Sequence, residues 1–275
     1  MRQKSILITG CSNGIGYYCA KRLHEEGYKV FATARKEEDV QKLREVGLES
    51  FQLDLNNSHS IQKAVHEVQK RTGGTLYALF NNGAYGQPGA VEDLSRDVLK
   101  AQFETNVFGT HELTTRILPM MRKQGYGRIV QNSSVLGFIS LRFRGAYNAS
   151  KYALEGLSDT MRLELTGTDI HISLIEPGPI RSDFRKNALQ KFLENIDRNH
   201  SHFKEEYVNK LSSLQSDKDA PFTLGEDAVY AALLHALESK EPKARYRVTK
   251  PTTFFWFLKR VLSTRQLDKI LRRVE

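Results

Sequence analysis

The sequence predicts an α/β fold in which a doubly wound parallel sheet carries helices on both faces. Short apolar runs alternate with longer segments of helical periodicity, a pattern typical of βαβ units. Runs such as Ile6-Leu7-Ile8 are apolar throughout, which indicates strands that are covered on both faces. In such sheets ligands bind beyond the carboxyl ends of the strands, so the residues that follow each strand are the candidates for a functional site.

The predicted strands are rich in aliphatic, β-branched and aromatic residues, whereas the segments between them repeat their apolar residues every three or four positions. The strands are predicted over residues 5–9, 29–34, 48–53, 76–81, 128–133, 170–176 and 245–248. The helices are predicted over residues 14–26, 37–46, 58–71, 95–124, 146–165 and 225–239.

One polar and charged insertion, residues 181–223, interrupts this alternation after the sixth strand. It is predicted to be helical over residues 187–196 and 203–214. Its position above the carboxyl ends of the strands fits a lid over the site, and a solvated helical excursion without function is the alternative. We therefore predict a single domain over residues 1–250 that includes the insertion, followed by an amphipathic, basic, helical tail over residues 251–275.

The cysteine content and the N-terminus narrow the class of protein. Cys11 and Cys19 form neither a disulfide framework nor a metal-ligand pattern, so we expect free thiols in a reducing compartment and no metal. The first apolar run is too short for a signal peptide or a membrane span. The sequence thus predicts a cytoplasmic protein.

The formal net charge of +9 is concentrated at the C-terminal end. Eleven basic and three acidic residues lie between positions 240 and 275, which leaves the rest of the chain almost neutral. A nucleic-acid-binding protein more often spreads its basic residues over one large face. We therefore expect no nucleic-acid partner.

A glycine-rich turn follows the first predicted strand and opens the first helix. It reads Thr9-Gly10-Cys11-Ser12-Asn13-Gly14-Ile15-Gly16, with the spacing G-x-x-x-G-x-G. Glycines there permit a tight turn, and backbone N–H groups at the helix N-terminus can then bind a pyrophosphate. A turn without a ligand is the alternative, but the strand before it and the helix after it favour nucleotide binding.

The residues at the end of the second strand indicate whether the nucleotide is NAD or NADP. An NAD site usually places an acidic residue there to bind the ribose 2′-hydroxyl. This chain instead reads Ala34-Arg35-Lys36, and a guanidinium can pair with a 2′-phosphate through two hydrogen bonds. An exposed Arg35 without a ligand is the alternative. The sequence favours NADP, with Asp54 after the third strand as a candidate contact for the adenine amino group.

Tyr147 and Lys151 lie four residues apart in a predicted helix and can share one face of it. An ammonium group beside a phenol stabilises the phenolate and lowers the pKa of the phenol. A tyrosine in that position can exchange a proton with a substrate oxygen near neutral pH. Taken alone, the pair is more often a solvated helix face.

Together these motifs resemble the short-chain dehydrogenase/reductase superfamily, which has a Rossmann-type fold. The ordered motifs are Thr9-Gly10-x-x-x-Gly14-Ile15-Gly16, Asp54, Asn81-Asn82-Gly83-Ala84, Asn106, Ser133-Ser134, Tyr147-x-x-x-Lys151 and Pro177-Gly178. The chain departs from the family once, since Gly83-Ala84 stands where the family usually has Ala-Gly. The resemblance implies an NADP-dependent oxidoreductase that interconverts carbonyl compounds and alcohols.

The resemblance also implies residue roles. Tyr147 would be the general acid in reduction, Lys151 would lower its pKa and hold the nicotinamide ribose, and Ser134 would bind the substrate oxygen. Asn106 would hold a water, and Ser133 should point to the opposite side of its strand from Ser134. The cofactor-binding residues would be Gly10, Ser12, Asn13, Gly14, Ile15, Gly16, Arg35, Asp54, Leu55, Asn82, Tyr147, Lys151, Pro177, Gly178 and Ile180.

Within the superfamily, the chain looks like the retinol and hydroxysteroid dehydrogenase branch, and most like bacterial NADP-dependent aldehyde reductases. The resemblance is carried by residues 132–137, 150–156, 175–180 and 240–246. It implies a small apolar carbonyl or alcohol substrate, and a homodimer or homotetramer paired through the helices over residues 95–124 and 146–165. The candidates for the apolar pocket are Val135, Leu136, Phe138, Leu141, Phe143 and Phe184.

Two questions stay open at the level of sequence. Residues 252–262 combine aromatic and basic side chains, which fits a helix packed over the substrate entrance or at a subunit interface, with peripheral membrane contact as the alternative. The rival function is an NADP-binding sensor or scaffold without catalysis. Degenerate relatives of that kind lose the tyrosine, lysine or serine, and this chain keeps all of them.

Overall fold

The computed structural model describes residues 3–215 and 219–274, and these contain a seven-stranded parallel sheet. The strands are β1 (Ser5–Ile8), β2 (Lys29–Ala34), β3 (Glu49–Gln52), β4 (Ala78–Asn81), β5 (Tyr126–Asn132), β6 (Asp169–Glu176) and β7 (Arg245–Arg247). Their spatial order is β3-β2-β1-β4-β5-β6-β7, so the chain begins at the centre and winds outward in both directions. The predicted doubly wound sheet is thereby confirmed.

Helices connect the strands and cover both faces of the sheet. They are α1 (Gly14–Glu25), α2 (Glu37–Glu45), α3 (Ser58–Thr72), α4 (Arg96–Phe103), α5 (Thr110–Gln124), α6 (Gly145–Glu164), α7 (Phe184–Asn195), α8 (Lys204–Gln215), α9 (Glu226–Glu238), α10 (Lys250–Val261) and α11 (Thr264–Leu271). No helix of the described residues is both long and apolar enough to cross a membrane.

Alternation along the strands divides the apolar core into two layers. Ile6 and Ile8 of β1 pack with residues of α1, α2 and α9, whereas Leu7 between them packs with residues of α3, α5 and α6. All three side chains are fully buried, as expected for a central strand with helices on both faces. This double covering leaves the carboxyl end of the sheet as the accessible edge.

The predicted helix over residues 95–124 is divided in the structure. A π-helical turn, Glu104–Gly109, separates α4 from α5 and widens the helix there by about one residue per turn. The wider turn points Asn106 inward, where its side chain bonds both backbone groups of Tyr85, at 3.2 Å from its nitrogen and 2.9 Å from its oxygen. Periodicity could not predict this, because the bonds depend on a loop from another part of the chain.

The insertion is anchored to the rest of the chain by a few buried side chains. Phe192 of α7 and Tyr207 of α8 are buried with Phe143 and Ile196 in a cluster of their own. The Tyr207 hydroxyl also accepts a hydrogen bond from the Ala90 nitrogen at 2.8 Å. The helices begin and end within three residues of the predicted bounds, and residues 216–218 of the predicted lid lie outside the described residues.

Candidate active site

A cavity of about 1560 Å³ opens beyond the carboxyl ends of β1, β4, β5 and β6. The glycine-rich turn after β1 lies at one end of it, and apolar residues of the insertion and the tail lie at the other. The predicted site residues that line it are Gly10, Ser12, Asn13, Gly14, Ile15, Asn82, Ser134, Tyr147, Lys151, Pro177, Gly178 and Ile180. Most of the predicted site is thus brought together in one cavity.

The glycine-rich turn is closely packed against the end of β4. Gly10 has a φ of +71°, and a Cβ there would lie 2.7 Å from the Cα of Gly83, so only glycine fits. Gly16 does not line the cavity but packs against the turn. A Cβ on Gly16 would lie 2.2 Å from the Gly10 oxygen, so this position also requires glycine. This cradle, followed directly by the N-terminus of α1, fits a dinucleotide pyrophosphate.

Asn82 fixes the turn from the end of β4. Its side-chain nitrogen donates to the oxygens of Thr9 and Gly10 at 3.0 and 3.1 Å, and its side-chain oxygen accepts from the Asn132 amide at 2.9 Å. The Thr9 hydroxyl in turn accepts from the backbone nitrogens of Asn82 and Gly83. These bonds hold the ends of three neighbouring strands in register around the cavity.

Besides Gly16, three predicted cofactor residues lie outside the cavity lining in the part of the chain that the structure describes. Arg35 is exposed at the end of β2, where no acidic residue accompanies it before α2. Asp54 accepts a hydrogen bond from the Asn56 nitrogen at 2.9 Å, and Leu55 is buried in the core. Arg35 does act on Tyr85: burial raises the pKa of that phenol, and the guanidinium opposes the rise.

Tyr147 lies near the N-terminus of α6 and is only 8% exposed. The Ser134 hydroxyl, just after β5, lines the cavity together with Tyr147. Burial raises the pKa of Tyr147 to about 12, while Ser134 and the Arg144 guanidinium oppose the rise. At neutral pH the phenol therefore keeps its proton.

Lys151 lies one turn further along α6, with its ammonium 5.6 Å from the centre of the Tyr147 ring. Its Nζ donates to the Asn132 oxygen at 2.7 Å. Burial lowers the pKa of Lys151 to about 8, and the Glu155 carboxylate opposes that shift. The groups that oppose the rise in the pKa of Tyr147 are Ser134 and Arg144, and a lowering of that pKa by Lys151 stays a prediction.

The two adjacent serines follow β5 and both line the cavity, but their hydrogen-bond partners differ. Ser133 donates to the Glu155 carboxylate at 2.6 Å, whereas the Ser134 hydroxyl accepts from the Leu136 nitrogen at 3.1 Å. The opposite orientation of the two side chains stays a prediction. Asn106 also donates to the Ser150 hydroxyl of α6 at 3.1 Å. Asn106 does not line the cavity, and its contact with the site is through this bond to α6.

The other half of the cavity is largely apolar. Of the candidates for the apolar pocket, Val135, Leu136, Leu141 and Phe184 line it. The Phe184 ring packs edge-on against the Tyr147 ring at 5.2 Å. Phe138 and Phe143 do not line it, so those two assignments were wrong. Phe143 is buried against Phe203 and Tyr207 of the insertion, because its backbone adopts a φ of +57° that turns it away.

The tail contributes lining residues that the sequence did not identify as such. Phe254 and Phe255 of α10 reach the cavity. Phe255 and Leu271 of α11 are buried in one cluster with Tyr147 and Leu136. The aromatic run in the tail was the available signal, but only the packing of α10 against α6 shows which aromatics face the site.

The described residues contain no group of three or more histidine, cysteine or acidic side chains that could hold a metal ion. What the cavity does offer is a backbone cradle for phosphates, followed by a buried hydroxyl pair with an ammonium beside it and an apolar compartment beyond. That arrangement can bind a dinucleotide, orient an apolar molecule against it, and move a proton at the phenol.

Comparison with known proteins agrees with this geometry. The chain is 43% identical over 277 residues to an uncharacterized oxidoreductase, YbbO, of Escherichia coli K12, covering 98% of this chain and 94% of that protein. It is 34% identical to human 17-beta-hydroxysteroid dehydrogenase type 1, covering 91% and 79% of the two chains. Its fold matches a short-chain dehydrogenase from Streptomyces avermitilis with a TM-score of 0.78 and 27% identity, over 98% of this chain and 93% of that one.

The family model described as short chain dehydrogenase matches residues 4–192. That range contains the glycine-rich turn, both serines, the Tyr147–Lys151 pair and the strand ends that bring them together. The chain is therefore a member of the short-chain dehydrogenase/reductase family.

Proposed function

We propose that this protein is an NADP(H)-dependent oxidoreductase that interconverts apolar aldehydes or ketones and the corresponding alcohols. The observation that carries the proposal is the position of Tyr147. Its side chain lies with Ser134 in the cavity lining, between the glycine-rich cradle and the apolar half of one cavity. A group there can reach both a bound dinucleotide and an apolar carbonyl compound.

The cofactor would be held by residues at both ends of the cradle. The backbone of Gly10–Ile15 would bind the pyrophosphate, and Lys151 and Tyr147 would hold the nicotinamide ribose. When bound, the nicotinamide supplies the hydride. The preference for NADP rests on Arg35, whose exposed guanidinium can pair with a 2′-phosphate at a strand end that has no carboxylate.

The protein's own residues would handle the proton. Ser134 donates to the carbonyl oxygen of the substrate and stabilises the negative charge that develops there. Tyr147 keeps its proton through neutral pH because burial raises its pKa to about 12, and so it can act as the acid. The Lys151 ammonium favours the phenolate that forms when that proton leaves.

The substrate class follows from the apolar half of the cavity. Leu136, Ile139, Leu141 and Phe184 surround the approach to Tyr147, and Phe255 closes it from the tail. Burying apolar surface contributes about 25 cal/mol per Å², so a long aliphatic chain, a retinoid or a steroid would gain most from this lining.

A substrate screen tests the function. The purified protein is incubated with NADPH or NADH and with retinal, medium-chain aldehydes and ketosteroids, and the loss of nicotinamide absorbance is followed. Turnover of at least one apolar carbonyl compound with NADPH is expected. A protein that binds NADPH but turns over no compound of a broad panel would instead be the sensor or scaffold.

Assembly and location belong to the same proposal. The protein is cytoplasmic and forms a homodimer or homotetramer through α4, α5 and α6. The π-helical turn between α4 and α5 exposes Phe108, and α6 exposes Leu157 and Leu163. The inward face of α10 covers the cavity. Its outer face exposes Phe257 and Val261 among basic residues, which supports peripheral contact with a lipid surface.

A further inference from the structure

A cluster of charged side chains joins α6 to β6 and β7. Arg245, the first residue of β7, donates to Glu155 and Asp159 of α6 and to Glu176, the last residue of β6. The bonds to Glu176 and Asp159 are 2.6 and 2.5 Å long. Glu155 and Glu176 are buried. We call these four residues the Arg245 cluster. A buried carboxylate is costly unless it is paired and hydrogen-bonded. The contacts of Glu155 therefore indicate its role.

The first contact of Glu155 is with the strand end that carries Ser134. One carboxylate oxygen accepts from the Ser133 hydroxyl at 2.6 Å. A Cβ on Gly137 would lie 2.3 Å from that same oxygen and 2.6 Å from the Ser133 Oγ. The turn that follows Ser134 therefore lies directly on this hydrogen bond, and its position depends on the Glu155–Ser133 pair.

The second effect of Glu155 is that of its charge on Lys151. Tyr147, Lys151 and Glu155 follow one another at intervals of four residues, which places them along one face of α6. Lys151 is buried, and its ammonium donates to the Asn132 oxygen. Burial lowers the pKa of Lys151 to about 8, and Glu155 is the group that opposes this. A buried ammonium needs such a counter-charge.

The other charged groups around Glu155 do not replace it. Burial raises the pKa of Glu176, and the Glu155 charge adds to that rise, while Arg245 and Arg247 oppose it. Asp159 also bonds Arg162 at the edge of the cluster. The charged groups that face Glu155 are Lys151 and Asp159 on its own helix, Glu176 on β6 and Arg245 on β7.

We propose that Glu155 is a positioning residue of the active site, which fixes the Ser133–Ser134 segment against α6 and supplies the negative charge that keeps Lys151 protonated. The consequence for turnover rests on the proposed function. The two interactions themselves are properties of the protein alone, so they can be tested without a substrate.

The first experiment measures the ionisation of Lys151 by NMR, in protein whose lysines carry ¹³C at the ε-carbon. The Lys151 signal is assigned with Lys151→Met. Glu155→Gln keeps the side-chain length and an oxygen that accepts from Ser133, but it removes the charge. We expect the pKa of Lys151 to fall by about one unit in this variant.

Asp159→Asn is the matched control. It removes a carboxylate charge from the same guanidinium, one turn further along α6, but among the described hydrogen bonds Asp159 contacts neither Ser133 nor Lys151. We expect the pKa of Lys151 to stay at its wild-type value. Equal titration in Glu155→Gln and wild type, or an equal shift in Asp159→Asn, would overturn the role of the charge.

The second experiment separates the anchoring role. Ser133→Ala removes the hydrogen bond and leaves every charge in place. We expect kcat to fall about 10- to 100-fold at every pH, with the KM for NADPH unchanged within twofold. Glu155→Gln should retain most of kcat near pH 6. As the pH rises, its kcat should begin to fall at a lower pH than that of the wild type.

The outcomes are distinguishable. A wild-type kcat in Ser133→Ala would overturn the anchoring role. A rise in the KM for NADPH without a fall in kcat would assign the segment to cofactor binding and would also overturn the anchoring role. Glu155→Ala is avoided because it leaves Arg245 short of a partner and can unfold the chain. If the wild type turns over no carbonyl compound, the proposed function fails, and the NMR titration still decides whether Glu155 supports Lys151.

Discussion

At the scale of single residues, burial controls the acid–base behaviour of the site. Tyr147 and Lys151 are both buried, and burial disfavours the charged form of each. The pKa of the phenol rises to about 12, and that of the ammonium falls to about 8. Lys151 is thus the group of this pair that changes charge near physiological pH, and Tyr147 is the one that keeps its proton.

Tyr147→Phe should abolish turnover without disturbing the fold. Phenylalanine keeps the ring contact with Phe184 and loses only the hydroxyl, and general acid catalysis contributes about 10²- to 10⁴-fold. We expect kcat for the reduction of the best aldehyde to fall by at least that lower bound, with NADPH binding intact by fluorescence titration. Tyr152→Phe, on the exposed side of the same helix, is the control. Retention of more than a few per cent of activity would contradict the assigned acid.

The pH dependence of carbonyl reduction should follow Lys151. Its pKa in the folded protein is about 8, below the ordinary 10.5, so the ammonium is present below pH 8 and is lost above it. Tyr147 stays protonated across that range because its pKa is about 12. Since kcat/KM reports groups of the free enzyme, it should be flat from about pH 6 to 7 and fall about tenfold per unit above about pH 8. A flat profile to pH 10 would contradict this.

Arg35→Asp should move the cofactor preference toward NADH. The substitution removes the candidate partner of the 2′-phosphate and places a carboxylate where NAD sites usually have one. We expect the ratio of kcat/KM for NADPH to that for NADH to fall by about 10- to 100-fold, the cost of a charge-assisted pair. Lys42→Asp makes the same charge change at an exposed position of α2 and should leave the ratio unchanged. An unaltered ratio in Arg35→Asp would remove that residue from cofactor selection.

At the scale of elements, α10 has two faces with different surroundings. Phe255 is buried against the cluster that contains Tyr147, whereas Phe257 and Val261 are 55% and 58% exposed. Trp256 lies between Arg247 and Arg260, whose guanidinium carbons are 3.9 and 3.8 Å from its ring centre. The helix thus covers the cavity on one side and presents an apolar stripe among cations on the other.

Phe257→Glu tests lipid contact more sharply than deletion of the tail. Deletion would uncover Tyr147 and Leu136, whereas this substitution changes only an exposed position. If the stripe binds lipid, co-sedimentation with anionic vesicles should fall several-fold, because a carboxylate at the interface opposes both burial and attraction to the headgroups. Val46→Glu, at another exposed apolar position, should sediment as wild type does. Equal sedimentation of Phe257→Glu and wild type would end the membrane proposal.

The elements also show where sequence patterns stop being informative. The seven strands were predicted from hydrophobic runs within a few residues, since both sheet faces are buried and leave little freedom of register. The division of the predicted long helix at Glu104–Gly109 was not predicted. It depends on bonds between Asn106 and the loop at Tyr85, which no local pattern contains.

At the scale of the whole molecule, the charge excess of the C-terminal region is only partly a surface property. Arg245 is bonded to three carboxylates, and Arg247 and Arg260 are stacked on Trp256. Part of the apparent basic tail therefore stabilises the fold. Composition alone could not separate these cations from those that face solvent.

The exposed apolar side chains of α6 and of the π-helical turn predict self-association. Phe108, Leu157 and Leu163 are 53%, 41% and 69% exposed in the single chain. If they form the interface of a dimer or tetramer, Leu157→Glu combined with Phe108→Glu should yield a monomer, because an unpaired carboxylate in an apolar interface is costly. Light scattering after size exclusion measures this, with Leu193→Glu on α7 as the control. A wild-type mass for the double variant would place the interface elsewhere.

The sequence by itself determined the sheet, the glycine-rich turn and the identity of the hydroxyl and ammonium groups, because hydrophobic period and motif spacing are local properties of the chain. Only the tertiary structure decided how those groups behave. Several properties of the site depend on partners that are distant in sequence. They are the pKa of Tyr147, the position of Phe143 outside the cavity, the inward turn of Asn106 and the hydrogen bond from Ser133 to Glu155. Burial and hydrogen bonding act through space, and so the chemistry of this site follows from the packing of α6 against the strand ends.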